Sequence, residues 1–224
     1  MRENSGQNIK DAVSDLKKLH HKLKEQIVER LKDFHVIWER GSEEDIFAEL
    51  AFCLLTPQSK AKSCEIAVGC LIEEDLLFFG TQSQIARALR GKTRFHNTKA
   101  GNIIRARKLF SRNDGMAIKK VISDFADAYE AREWLVNNIR GMGYKEASHF
   151  LRNIGMGEEL AILDRHILKN LATLGIIAEI PGSLSKKRYL EIEDKVKRFA
   201  KNVKIPASHL DLLLWYKETG EIFK

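Results

Sequence analysis

A lysine and an aspartate with reactive side chains follow a glycine-containing turn in this sequence. The turn reads Gly141-Met142-Gly143, and Lys145 lies in the first turn of the helix predicted after it. A helix N-terminus disfavours a protonated amine, and the neutral amine of lysine is the form that attacks an electrophilic carbon. Asp164 follows an apolar run, one predicted helix further along the chain. These residue types predict an amine nucleophile with a carboxylate partner.

The glycine turn is also suited to binding a phosphate. Gly141 and Gly143 can adopt backbone angles closed to other residues, so that successive amides converge while Met142 packs onto the core. The N-terminal end of the next helix adds its dipole to the same anion site. Alternatively, the glycines only end one helix and begin the next, Lys145 is an exposed lysine, and Asp164 is only a helix N-cap.

Helices must position these residues, because almost every segment has the apolar period of an amphipathic helix. The capping box of Thr81 and Gln84 begins one helix, Asn97 is predicted to cap another, and Pro57 predicts a turn at Thr56. No alternating strand pattern of useful length is present, so the fold class is all-α, with about ten or eleven helices. The predicted helices span residues 8–35, 43–55, 60–72, 81–90, 97 onward, 127–140, 144–153, 164–174, 185–202 and 206–219.

Composition favours a folded protein with a polyanionic partner. The chain has 38 Lys and Arg against 31 Asp and Glu, a net charge of +7, and 44% hydrophobic residues. A basic surface fits a polyanion without requiring one. Cys53, Cys64 and Cys70 lack histidines at metal-ligand spacing, which predicts core thiols rather than zinc ligands or disulfides. No apolar segment approaches a membrane span or a signal-peptide core, so we expect a cytoplasmic location.

Two stretches of the sequence are similar to a known family. Ile139-Arg-Gly-Met-Gly-Tyr-Lys145-Glu-Ala followed by Ile162-Leu-Asp164-Arg-His resembles the helix-hairpin-helix DNA glycosylase superfamily. The ending Leu-Leu-Trp215-Tyr-Lys-Glu-Thr-Gly-Glu-Ile-Phe-Lys224 resembles the second, archaeal and bacterial, family of 8-oxoguanine DNA glycosylase/lyases. The resemblance runs from about Glu43 to the end. Two departures are the lack of the C-terminal cysteines that hold an iron–sulfur cluster in many relatives, and Ile162-Leu163 in place of Gly-Pro before the aspartate.

The resemblance implies a helix-hairpin-helix glycosylase unit over residues 1–224, with an active-site cleft between two helical subdomains. The first subdomain is expected over about residues 44–158, including the hairpin at 134–154. The second is expected over about residues 1–43 plus 159–224. The sequence contains no repeat, low-complexity tract or Pro/Ser-rich linker, which favours tightly docked subdomains.

The resemblance also implies the chemistry and the partners. Lys145 is expected to form a Schiff base with the sugar and Asp164 to stabilise the cationic sugar, after which β-elimination cuts the strand. This chemistry needs no metal, redox cofactor or iron–sulfur cluster, although it is compatible with a monovalent cation at the hairpin. We expect a monomer that acts on double-stranded DNA containing oxidised guanine, near the nucleoid and away from membranes.

Contacts to DNA and to the damaged base are implied for a further set of residues. Gln58 is expected to fill the space left by the flipped nucleotide, and Phe95 and Trp215 to stack on the two faces of the base. Alternatively, Gln58 is a solvated turn residue and Trp215 belongs to the core. The expected DNA-binding residues are Gly141, Met142, Gly143, Gln58 and Arg94, and the expected base-pocket residues are Phe95, Trp215 and Lys224.

Three other functions fit parts of the pattern. A glycosylase of the same fold could act on oxidised pyrimidines or mismatched adenine. A non-catalytic helix-hairpin-helix module would use the glycine turn and Lys145 only to bind phosphate. A helical protein-binding adaptor would leave the glycine turn and the basic loop around Phe95 without a purpose.

Overall fold

Helices dominate the structure, a computed structural model that describes residues 2–113 and 115–224, with side chains from residue 8 onward. Within those residues, twelve helices and one short antiparallel pair of strands confirm the all-α fold class. The helices are α1 (Arg2–Arg40), α2 (Glu43–Leu55), α3 (Ala61–Glu73), α4 (Leu76–Phe79), α5 (Gln82–Leu89), α6 (His96–Phe110), α7 (Ile118–Ser123), α8 (Ala128–Asn138), α9 (Tyr144–Asn153), α10 (Arg165–Thr173), α11 (Lys186–Val203) and α12 (Ala207–Thr219). The strands are β1 (Ser111–Arg112) and β2 (Gly115–Met116), with Ser111 opposite Met116.

The chain forms two compact units. One unit comprises His35–Met156 and contains the end of α1 and the helices α2 to α9. The other comprises Met1–Phe34 together with Gly157–Lys224, and contains most of α1 and the helices α10 to α12. The resemblance implied subdomains at about residues 44–158 and at about 1–43 plus 159–224. These bounds stay a prediction.

Helix α2 is the centre of the His35–Met156 unit. It packs against α3, α6, α7 and α9, and its residues Phe47, Leu50 and Leu54 are almost fully buried. A helix that is apolar on most sides must be surrounded in this way. The Ser42 capping box with Asp45 begins α2, and the helix ends at Leu55, one residue before Thr56. The predicted bounds of 43–55 are therefore confirmed.

In the other unit, α12 packs against α10 and α11, while α1 contributes a buried face that includes Leu16, Leu23 and Ile27. Asp164 caps α10 and Ser185 caps α11, as their positions predicted. These caps satisfy backbone amides that a helix leaves unpaired at its start. Among the described residues, we find no helix long and apolar enough to cross a membrane.

Several predicted bounds were wrong. Asn97 lies inside α6, which instead begins after Phe95, a residue with a left-handed φ of 56°. The carbonyl of Phe95 accepts the amide of Lys99 at 3.0 Å, so the backbone begins this helix without a side-chain cap. Helix α1 is longer than predicted, α8 ends at Asn138 rather than Arg140, and α4, α7 and the β1–β2 pair were not foreseen. These short elements carry too few residues to show a period.

The cysteines are free thiols, as predicted. Cys53 and Cys64 are buried, and Cys70 is half-buried. Burial raises the pKa of Cys53 well above its usual range and raises that of Cys64 to about 11. These two thiols are therefore protonated and unreactive at neutral pH.

Candidate active site

The predicted glycine turn joins α8 to α9 and depends on Gly141. This residue has a φ of 89°, and an added Cβ would lie 2.1 Å from Nδ2 of Asn102 and 3.0 Å from its Cγ. Only glycine avoids both the backbone strain and the clash. Met142 is 5% exposed, which confirms that it packs onto the core.

Gly143 does not need the conformational freedom of glycine, contrary to prediction. Its φ of −100° and ψ of −176° are ordinary extended backbone. Its amide donates to Oε2 of Glu146 at 3.2 Å, and a Cβ there would meet that oxygen at 3.1 Å. The turn therefore has one obligatory glycine, and one of its amides is bound by a carboxylate of the same hairpin.

Lys145 lies one residue into α9, as predicted, and its amine has two polar neighbours in the unit. Its Nζ donates to Oγ1 of Thr56 at 3.3 Å and lies 3.1 Å from Oε1 of Glu146. The side chain is 23% exposed, so the amine is partly shielded but open to a substrate. Glu146 also offsets the unfavourable position of a cation at a helix N-terminus.

Thr56 and Glu146 were not foreseen as site residues. Glu146 occupies the third helical position after Gly143, where a carboxylate commonly bonds back to the backbone before the helix, and this signal was available. Thr56 is far from Lys145 in the sequence, and it was interpreted only as the residue before Pro57. Its hydroxyl donates to the carbonyl of Cys53 at 2.9 Å, which orients its lone pairs.

Asp164 is the N-cap of α10, in the other unit. Its Oδ1 accepts the amide of Ile167 at 2.8 Å, and the residue is half-buried. The apolar run before it, 160–163, is buried and held by two polar side chains of α11: Glu193 accepts the amide of Ala161 at 2.9 Å, and the hydroxyl of Tyr189 accepts that of Leu163 at 3.3 Å. These bonds fix the segment in which Ile162-Leu163 stands in place of the Gly-Pro of the superfamily.

Gln58, Arg94 and Phe95 lie together on the His35–Met156 unit. Gln58 and Phe95 are both exposed and both have left-handed φ angles, 53° and 56°. The Arg94 guanidinium stacks over the Phe95 ring at 5.3 Å, and the Arg94 amide donates to Oγ of Ser59 at 3.0 Å, which ties this loop to the Gln58 turn. Exposed aromatic rings and strained backbone are common at functional sites.

Trp215 and Lys224 belong to the same unit as Asp164. Trp215 is half-buried on α12, and its ring meets His166 edge to face, with centroids 5.3 Å apart. His166 also lies 3.7 Å from the carboxylate of Glu218. Lys224 is half-buried. The assignment of these residues to a base pocket stays a prediction, as does the role of Asp164.

The described part of the chain contains no set of side chains that could act as the ligands of a metal centre. Within that part, no three His, Cys, Asp or Glu side chains are grouped so that they could hold a metal ion.

Comparison with known proteins decides the family. The family model described as 8-oxoguanine DNA glycosylase matches residues 27–205. The chain belongs to the 8-oxoguanine DNA glycosylase family. A member named 8-oxoguanine DNA glycosylase/AP lyase from Fusobacterium nucleatum is 45% identical over 94% of this chain and 97% of its own. Its counterpart in Korarchaeum cryptofilum is 39% identical over 96% and 99%.

Solved structures of this glycosylase family share the fold. The 8-oxoguanine DNA glycosylase of Thermotoga maritima superposes with a TM-score of 0.86 at 34% identity, and covers 96% of this chain and 100% of its own. The Methanocaldococcus jannaschii 8-oxoguanine glycosylase/lyase, solved in complex with 15mer DNA containing 8-oxoguanine, superposes with a TM-score of 0.85 at 34% identity, covering 95% and 99%. The family and the helix-hairpin-helix fold inferred from the sequence are thus confirmed.

Proposed function

We propose that this protein is a DNA glycosylase and AP lyase that excises 8-oxoguanine from duplex DNA. The observation that carries the proposal is Lys145, held between Thr56 and Glu146 directly after the hairpin turn, in a chain of this family. A lysine amine at a partly shielded site can act as a nucleophile without a metal. Relatives along nearly the whole chain carry both activities in their names.

The reaction begins with the damaged nucleotide turned out of the duplex, because the glycosidic carbon is inaccessible inside it. The hairpin turn at Gly141 to Gly143 binds the DNA backbone at the start of α9, where the helix dipole favours an anion. Gln58 occupies the vacated space, and Phe95 and Trp215 stack on the base, with Lys224 beside it. Arg94 contributes positive charge near the strand.

Lys145 then replaces the base. Its Nζ gives up a proton, for which Oε1 of Glu146 is within reach at 3.1 Å, and attacks C1′ as the bond to the base breaks. The base leaves with the bonding electrons, and the negative charge of Asp164 stabilises the positive charge on the sugar. Transfer of one of the two protons still on the nitrogen to O4′ then breaks the C1′–O4′ bond, which opens the ring and leaves a protonated imine.

Strand cleavage follows from the imine. The imine makes the C2′ proton acidic, and its removal expels the phosphate from C3′, so the strand is cut on the 3′ side of the lesion. Every step uses protons and electrons from the amine, the sugar and the base. We therefore expect undiminished activity in the presence of a chelator such as EDTA.

Borohydride trapping tests the proposal. Reduction of the imine should give a covalent protein–DNA adduct with wild-type protein on a duplex that contains 8-oxoguanine. Lys145→Gln removes the nucleophile and should abolish the adduct, with a loss of excision of about a thousandfold or more. Lys108→Gln, an exposed lysine of α6 in the same unit, is the matched control.

The same assay distinguishes the other candidate functions. Trapping by Lys145→Gln at the wild-type level would refute the assignment of the nucleophile. Excision of oxidised pyrimidines or of adenine in preference to 8-oxoguanine would refute the proposal that 8-oxoguanine is the substrate. Salt-dependent binding to duplex DNA without excision or trapping would identify a non-catalytic binding module.

The setting of this activity is also proposed. We expect a monomer that acts on chromosomal DNA in the cytoplasm, at the nucleoid, because the chain is basic and each step above uses residues of one chain. Sedimentation equilibrium with and without a lesion duplex would measure the stoichiometry, and a dimer in both conditions would contradict the expectation.

A further inference from the structure

A buried lysine of α6 makes three hydrogen bonds in the turn that contains Gln58. Lys99 is 4% exposed. Its Nζ donates to the carbonyl of Leu55 at 2.6 Å, to the carbonyl of Pro57 at 2.8 Å and to Oγ of Ser59 at 2.8 Å. An ammonium has three N–H donors, so these acceptors satisfy it completely.

The three acceptors span the C-terminal end of α2 and the residues after it. The carbonyl of Leu55 is one of the last-turn oxygens that a helix leaves unpaired, and the negative end of the helix dipole lies there. Cys64 donates its thiol to the same oxygen at 3.1 Å. The ammonium therefore compensates the end of α2 where the chain turns toward α3.

Burial lowers the pKa of Lys99, the nearby Cys64 raises it, and the charges of Lys145 and Arg94 lower it. A buried cation is costly unless it is fully bonded. The acceptors of the turn therefore stabilise the buried Lys99 ammonium, and the ammonium in return stabilises the turn. The electrostatic contact with Lys145 also shows that both amines belong to one neighbourhood of the unit.

The turn carries the residues that the proposed function uses. Thr56 accepts the hydrogen bond from Lys145 at 3.3 Å, and Gln58 is exposed with a left-handed φ of 53°. A left-handed glutamine persists only where its surroundings impose that conformation. Ser59 accepts both the Lys99 ammonium and, at 3.0 Å, the amide of Arg94.

We propose that Lys99 is a positioning residue that holds residues 55–59 in the form in which Thr56 orients the Lys145 amine and Gln58 points outward. Through Ser59 it also fixes the loop of Arg94 and Phe95. Lys99 itself does not touch the reacting atoms in this scheme. The inference rests on the proposed function for its catalytic consequence, but the positioning of the turn is a property of the folded protein alone.

Lys99→Met tests the inference, because it keeps the length of the side chain and removes the charge and the donors. Arg107→Met is a matched control on the same helix: the Arg107 guanidinium is also partly buried and donates to two carbonyls, those of Leu77 at 3.2 Å and Gly80 at 2.7 Å. The Arg107→Met variant therefore loses the same kind of interaction, but the lost bonds are not made to the turn at 55–59.

Two measurements are made on both variants at a temperature at which both are folded. Hydrogen exchange of peptides that cover residues 53–60 should accelerate in Lys99→Met and stay at the wild-type rate in Arg107→Met. The single-turnover rate of borohydride-trapped imine formation, at saturating protein, should fall about ten- to a hundredfold in Lys99→Met only. Equal effects of the two variants would reduce Lys99 to a general stabilising role and overturn the inference.

A double-mutant cycle asks whether Lys99 acts through Thr56. Thr56→Val removes the hydroxyl that accepts the Lys145 amine. If Lys99 orients the amine through Thr56, the double variant forms the imine about as slowly as the slower single variant. Independent effects that multiply would contradict this route. Should Lys99→Met not fold, Ser59→Ala takes its place, and the inference requires faster exchange at 53–60 and slower excision than wild type.

The two readouts separate this inference from the proposed function. A wild-type protein that neither excises 8-oxoguanine nor forms an imine would refute the proposed function, while hydrogen exchange would still decide whether Lys99 holds the turn. An active wild-type protein with unchanged exchange and unchanged imine formation in Lys99→Met would refute this inference alone.

Discussion

At the scale of single residues, the candidate site depends on how one amine is surrounded. Lys145 is placed where the helix dipole disfavours its positive charge, and Glu146 compensates while also accepting the amide of Gly143. One carboxylate thus joins the proposed nucleophile to the hairpin turn. A change in the turn backbone should therefore be transmitted to the amine.

The two glycines of the turn are predicted to differ in their tolerance of a side chain. Gly141→Ala should lower the free energy of unfolding by about 1–3 kcal/mol, because its φ of 89° is strained for alanine and the new Cβ meets Asn102. Gly143→Ala should cost less, since its backbone is extended and only the end of the Glu146 side chain must move. Urea unfolding of both variants measures the difference, and equal losses would contradict the turn geometry.

At the scale of elements, the candidate site residues of each unit lie at helix ends. The start of α9 carries Lys145, the start of α10 carries Asp164, and the end of α2 leads into Thr56 and Gln58. Helix ends have unpaired backbone groups and partial charges, so polar side chains gather there for structural reasons before any chemical role. A cap and a catalytic group can be the same residue.

Variants of Asp164 separate these two roles. Asp164→Asn keeps a good N-cap, so its free energy of unfolding should lie within about 0.5 kcal/mol of the wild-type value. Asp164→Ala should lower the free energy of unfolding by about 1 kcal/mol. Both should slow excision by about a hundredfold or more, because both remove the negative charge. Ser185→Ala, which removes the cap of α11 in the same unit, controls for capping alone. Full activity in Asp164→Asn would leave only the structural role.

At the scale of the whole molecule, a partly buried histidine pair links α1 to α12 in the unit that contains Asp164. Nε2 of His20 lies 3.0 Å from Nδ1 of His209. Burial lowers the pKa of both rings, Lys24 lowers both further, and His21 lowers that of His20, while Glu158 raises that of His209. The pair shares one hydrogen bond only while at least one ring is neutral.

This pair predicts a loss of stability on acidification. The unfolded chain takes up protons at histidine near about pH 6.5, whereas the folded protein does so only at lower pH. Below about pH 6.5 the unfolded state therefore binds more protons, and the free energy of unfolding falls as the pH decreases. Urea unfolding between about pH 7.5 and 5.5 should show this slope, and replacing both histidines by asparagine should flatten it. An unchanged slope would exclude the pair as its source.

The sequence by itself determined most of the helices and the family, and it indicated Lys145 and Asp164 as the candidate reactive pair. Caps such as Thr81 and Asp164 and the apolar period of α2 involve residues within one or two helical turns, so their signals are local and can be recognised in the sequence. The hairpin motif with Lys145 is equally local. Short segments such as α4, and the left-handed start of α6 at Phe95, lack such a period and were missed.

Only the tertiary structure decided what surrounds the amine. Thr56 meets Lys145, and Lys99 meets Leu55 and Pro57, across separations of tens of residues. A hydrogen bond between distant segments depends on how helices pack, and no nearby residue type signals it. The left-handed Gln58 likewise lies between Pro57 and Ser59, which accept hydrogen bonds from Lys99 of α6. The sequence therefore indicates Lys145 as the candidate nucleophile, and packing specifies how that residue is held.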